Sequence, residues 1–192
     1  MRKCFLILIA ISFSLVSCHT PSYVFDRISS NYFRFPEGNY LLNTIDAPEA
    51  VRLDMQEMIF EEFGKEIGQK NITSLQKATV RVIPSKIHFH PDQETIKQWD
   101  QSTGSYDYMI NIIAKKESDD VQSMVIGNLD PSDKNIVNVG MEIINLNDQA
   151  SIFFSQVRAE LSDSNDNKDF SLAVSSNTML KKSLKKILKR IN

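Results

Sequence analysis

The chain begins Met1-Arg2-Lys3 and then runs thirteen residues, 4–16 (CFLILIAISFSLV), without a charge. Wound as a helix, that run spans about 20 Å, well short of the roughly 30 Å hydrocarbon core of a bilayer. It is too short to remain as a membrane span, and its basic start and apolar middle are those of a cleaved secretory signal. Everything after it must therefore fold following export. Disulfides are permitted in such a compartment, yet the sequence holds two cysteines only, Cys4 and Cys18, and Cys4 leaves with the signal.

The apolar run closes with Leu15-Val16-Ser17-Cys18. This resembles the lipobox of bacterial lipoproteins: a branched apolar residue, a small or β-branched one, a small one, then the cysteine. In that family the thiol receives a diacylglycerol, the signal is cut just before the cysteine, and the new amino terminus is usually acylated. The resemblance implies a signal peptide over residues 1–17, palmitate-type acylation at Cys18, and a mature protein held to the membrane by its lipid. Several acyl chains make such an anchor stable, because each buried CH₂ contributes ~0.8 kcal/mol and one chain alone is marginal. With Cys18 lipidated, no thiol is left to form a disulfide. His19, not Asp, follows the cysteine. For the enteric members of the family that implies onward transport to the outer membrane, facing the periplasm.

The exported part is large enough to hold together by its core. Of the 192 residues 42% are hydrophobic, and a chain of this size buries roughly 70% of its unfolded surface. With 22 basic against 24 acidic residues, a dedicated nucleic-acid binder is excluded. No repeat or second core divides the chain. Residues 18–45 read as the lipidated cysteine, a tether and a possible first strand at 32–35, and residues 46–192 as one globular domain.

Within that domain, Asp46-Ala47-Pro48-Glu49 reads as a helix start with Asp46 as the N-cap. Val51, Met55, Met58, Ile59, Phe63 and Ile67 then recur at spacings of three and four as far as Gly68. Residues 78–83 alternate as a strand ended by Pro84, with 87–89 prolonging it, and Pro91-Asp92-Gln93-Glu94 opens a short helix through Trp99. Residues 108–114 form a nearly continuous apolar strand, hence a central one. Another strand is expected at 124–126, and a hairpin from 136–145 and 151–161. Residues 176–192 form an amphipathic helix with Leu180, Leu184, Ile187, Leu188 and Ile191 on one face. The expected fold is α/β (α+β): a single domain with a mixed sheet of about four to five strands, covered by the long helix and the C-terminal helix. Met58, Phe63, Ile110, Ile112, Leu184 and Leu188 should be buried.

The strand Tyr106-Asp107-Tyr108-Met109-Ile110-Asn111-Ile112, the hairpin around Asn147-Asp148 and the terminal helix resemble a group of small periplasmic lipoprotein domains. These are related to the N-terminal domain of TolB, to curli-secretion lipoproteins and to the lipoprotein activators of peptidoglycan synthases. The resemblance implies binding and assembly roles at the envelope rather than catalysis.

Tests for chemistry return little. His88-Phe89-His90 places two imidazoles on one face of an extended segment, but a zinc site needs a third or fourth ligand, so these are weak metal candidates. Asp163-Ser164-Asn165-Asp166-Asn167 starts like a calcium loop, yet Lys168 stands where a glycine is needed and Val174 where a bidentate Glu belongs. There is no Gly-x-Ser-x-Gly elbow and no Gly-rich phosphate loop after a strand. The sequence thus names no catalytic residue, metal or cofactor.

Charge is concentrated instead on the last helix, in Lys181, Lys182, Lys185, Lys186, Lys189 and Arg190. These either are a solvated face suited to the negative end of the helix dipole or make contact with an acidic partner or anionic headgroups. The expectation is a non-catalytic, lipid-anchored binding module with an envelope protein partner in a secretion, envelope-assembly or cell-wall complex. An envelope hydrolase acting on glycan or peptide, and a lipid-handling carrier, are the alternatives.

Overall fold

A strand near residue 25 pairs with one near residue 157, and that pairing organises the molecule. The computed structural model describes residues 20–28, 33–80, 88–117, 135–161 and 174–191. In chain order the elements are β1 (Ser22–Ile28), β2 (Tyr40–Leu42), α1 (Glu49–Phe63), β3 (Ile72–Ser74), α2 (Gln93–Thr103), β4 (Tyr108–Lys116), β5 (Asn135–Asn145), β6 (Ala150–Leu161) and α3 (Ser176–Ile191). The strands form one mixed sheet in the order β1-β6-β5-β4-β2-β3. Its β1, β6, β5 and β4 ladders are antiparallel, whereas β4, β2 and β3 run parallel. Parallel neighbours need a crossover, which α1 supplies between β2 and β3.

Alternation along the strands sends residues to two faces. On the first, Tyr40, Leu42, Ile110, Ile112, Val139, Met141, Ile143, Phe153 and Val157 meet Val51, Met55, Ile59 and Phe63 of α1. Met179, Leu180, Leu184, Ile187, Leu188 and Ile191 of α3 complete that cluster, each fully buried side chain contributing about 1.5–3 kcal/mol. On the second face, Leu41, Met109, Ile144 and Leu146 pack against Ile96 and Trp99 of α2. Asp92 caps α2 by accepting the Thr95 N–H at 2.7 Å, and hydrogen bonding from the Thr95 side chain, together with this N–H, holds the Asp92 carboxyl below its usual range.

The fold class is the expected α+β single domain, with several differences in detail. The sheet has six strands rather than four or five. Its first described strand is Ser22–Ile28, in the segment read as tether; of the strand expected at 32–35, residues 33–35 lie outside any strand and Tyr32 lies outside the described residues. There Phe33 and Phe35 are unpaired backbone whose rings plug the end of the core, 5.1 Å from Phe153 and 5.0 Å from Phe63 respectively. Strands β2 and β3 were not expected. Residues 78–80 lie outside any strand, and the rest of the expected strand at 78–83 lies outside the described residues, as do 124–126 and the polar loop at 163–169.

Asp46 does not cap α1. It bridges to Ile113 through its backbone, and Pro48 stands at the N-cap with no side-chain bond. The α-helical winding ends at Phe63 and continues as a π-turn over Gly64–Gly68. Gly68, at φ +84°, then turns the chain toward β3, a conformation that favours glycine. Of the residues expected in the core, Met58 is only partly buried.

Candidate functional site

The helical layer carries its charges in two zones. On α1, Val51, Met55, Ile59 and Phe63 point inward, so the i+3/i+4 periodicity leaves Asp54, Glu57 and Glu61 exposed on the outer side. On α3 the same periodicity buries the apolar stripe and displays the six cations.

Those six divide by what they touch. Lys181 crosses to α1, its Nζ 2.7 Å from Asp54 Oδ2. Lys186 and Arg190 lean the other way, onto the edge of the sheet, where Lys186 Nζ sits 4.7 Å from the Tyr23 ring centroid and the Arg190 guanidinium 3.8 Å from that of Phe25. Cations held over aromatic rings in this way gain about 0.5–1 kcal/mol at exposed sites, so part of the basic face ties α3 to β1. The Tyr23 hydroxyl beneath is buried with no hydrogen-bond partner, and its burial raises its pKa. Lys182, Lys185 and Lys189 form no ion pair among the described residues and are exposed. At spacings of three and four they make one outward ridge.

Between the two helices runs a groove of about 350 Å³, with Met58 and Leu188 at its base. Glu61 and Glu62 line one side, and Lys181, Lys182 and Lys185 the other. Lys65 is held by both acids, at 3.2 and 3.3 Å, and their hydrogen bonds raise its pKa. A groove with an apolar base and walls of opposite sign suits an amphipathic segment of a partner protein.

A second constellation lies on the opposite face of the sheet. Asn111 on β4 stands directly opposite Glu142 on β5, which in turn faces Phe154 on β6. Glu142 is fully buried. Its carboxylate accepts the backbone N–H of His90 at 3.1 and 3.3 Å, and its Oε1 lies 3.2 Å from His90 Nδ1. The His90 ring lies 4.5 Å from that of Phe154, and Phe89 rests on Gly140 of β5. Asn43 donates to Asn111 Oδ1 at 3.1 Å, while Asn111 Nδ2 is buried without a partner. This polar row fastens the 88–91 segment to the sheet, a latch made by a buried carboxylate.

The predicted site residues are therefore partly gathered. The cations of α3 share one helix but serve three different contacts. His90 meets Glu142, whereas His88 is exposed and does not join it. Among the described residues no group of three or more His, Cys, Asp or Glu is placed to hold a metal, and Cys18 and the 163–167 segment lie outside those residues. Glu142 was missed, although a lone acid inside the apolar run of β5 is the kind of buried charge that needs a partner.

Neither a protein-family model nor a curated protein matches this chain. Among solved structures, the PelC dodecamer from Paraburkholderia phytofirmans is similar at 10% identity and a TM-score of 0.43, covering 90% of this chain and 98% of that one. The hypothetical protein CT253 from Chlamydia trachomatis is similar at 9% identity and a TM-score of 0.39, covering 81% and 95%. These likenesses lie in coarse arrangement and assign no residue a role.

Proposed function

We propose that this protein is a lipid-anchored component of the cell envelope, in the outer membrane facing the periplasm. Its domain acts as a non-catalytic binding and assembly module in a secretion, envelope-assembly or cell-wall complex. The observation that carries the reading is Leu15-Val16-Ser17-Cys18 at the end of a charge-free run too short to span a bilayer. The α1 wall of the groove, where Glu61 and Glu62 line it with Met58, supports the binding role as a docking place for an envelope protein partner. Among the described residues, His90 and Glu142 are the one acid–imidazole pair that would favour a hydrolase. Glu142 already accepts the His90 N–H, and among the described residues His90 has no hydroxyl partner to activate. The pair is better suited to holding a loop.

The test is the intact mass of protein extracted from membranes. It should match a chain beginning at Cys18 with acyl groups attached, and Cys18→Ser should abolish both lipid and signal cleavage. A mature chain without lipid mass refutes the anchor. Capture of the same envelope protein by wild type, lost when Glu61→Lys and Glu62→Lys reverse the acidic wall on α1, supports the module.

A further inference from the structure

The anchor and the fold together decide which side of the domain faces the bilayer. If Cys18 carries the lipid, as proposed above, three residues, 19–21, separate it from Ser22, where β1 begins. The four Cα–Cα steps from 18 to 22 reach at most about 14 Å when fully extended, against a domain roughly 40 Å across. The tether is too short to let the far side turn to the membrane. The edge at which β1 starts is therefore the membrane-facing edge.

That edge is also where α3 is fastened. Lys186 lies over Tyr23 and Arg190 over Phe25, one and three residues beyond the start of β1, so α3 runs alongside the anchored strand. Lys182, Lys185 and Lys189, exposed and without ion pairs among the described residues, stand on the helix held there. The acids of the helical layer lie on the other helix, α1, with Asp54 already engaged by Lys181. We infer that Lys182, Lys185 and Lys189 form a docking ridge for anionic phospholipid headgroups, orienting the domain with β1 and α3 against the bilayer and the acidic side of α1 turned away. This assigns the ridge to the bilayer in which the lipid is inserted rather than to an acidic protein, because the short tether delivers that surface to every molecule. It leaves the α1 wall of the groove facing the periplasm.

The experiment uses the lipidated protein extracted from membranes and reconstituted into vesicles. Since lipidation consumes the Cys18 thiol, a single introduced thiol can carry a fluorophore, either Val24→Cys on β1 or Gln101→Cys on α2. Headgroup-linked quenchers report proximity. In phosphatidylcholine vesicles containing about one third phosphatidylglycerol, the Val24 label should be quenched far more than the Gln101 label, and added salt should weaken the difference. Lys182→Gln with Lys185→Gln and Lys189→Gln should lower the ratio of docked to undocked protein by up to roughly a hundredfold at low salt, to the value in pure phosphatidylcholine. Equal quenching of the two labels, or quenching indifferent to both phosphatidylglycerol and the three lysines, overturns the inference while the anchor stands. A chain lacking acyl mass and not retained by either vesicle overturns the anchor, and this inference with it. The comparison of two vesicle compositions needs no substitution in α3, so it holds even if the triple variant folds poorly.

Discussion

Replacing Gly140 with Ala adds one methyl group to the middle of β5, where backbone φ is not positive and alanine is conformationally allowed. The carbon would nonetheless lie 2.6 Å from Phe89 Cζ, inside any real contact distance. Either the ring moves, losing its edge contact to Phe154 at 5.1 Å and loosening His90 from Glu142, or the strand gives way. Overpacking of this kind costs about 1–3 kcal/mol. With Phe89→Ala made first the obstacle is gone, and Gly→Ala should then be neutral or stabilising by about 0.4–1 kcal/mol through the unfolded chain. The two changes should couple by about 1–3 kcal/mol. Urea unfolding followed by the fluorescence of Trp99, the sole tryptophan and buried against the same face of the sheet, measures all four corners of the cycle. If Gly140→Ala costs the same with and without Phe89, the ring is not seated on the glycine and the latch is misplaced.

Leu184→Ala, at a fully buried position of α3, should lower unfolding free energy by about 2–5 kcal/mol, and a loss under roughly 1 kcal/mol in the same titration would place that residue outside the core. Tyr40 is buried with its hydroxyl donated to the Pro36 carbonyl at 2.8 Å, and burial, with Tyr108 and Asp107 adding, pushes its pKa well above the ordinary 10.0. The folded state then keeps a proton that the unfolded chain releases, so this contribution is whole below about pH 10 and is lost as pH climbs beyond it. Urea midpoints should fall between about pH 9 and pH 11, less steeply in Tyr40→Phe, and an identical slope in that variant would refute the assignment.

The elements that were legible in the sequence are those long enough to show a period. The α1 stripe Val51, Met55, Ile59, Phe63 and the α3 stripe through Leu184 and Leu188 repeat often enough to be read directly, and both lie in the core as expected. Strands β2 and β3 are three residues each, too short for alternation to register, and their place in the sheet is set by parallel pairing across α1. Strand β1 did carry a signal, with Tyr23 and Phe25 half-buried and Val24 and Asp26 exposed. The preceding Thr20-Pro21-Ser22 masked it as a tether. The charged residues of α3 were legible as a cluster but not as a division of labour. That Arg190 serves Phe25 and Lys181 serves Asp54 depends on which elements lie to either side of the helix, information that no local pattern contains.

The pairing of β1 with β6 also sets an order of events in time. Ser22 donates its hydroxyl to the Glu160 carbonyl across 138 residues of sequence, so β1, the first strand to be synthesised among the described residues, has no partner in the sheet until β6 has followed. A protein whose opening segment must wait for its closing one concentrates loop-closure entropy in a single late step, and such non-local pairings fold slowly. Throughout that interval β1 is a bare strand with an aromatic side, available to any other unpaired edge nearby. What the finished sheet hides at its edge, the folding chain must therefore carry exposed for as long as β6 is missing.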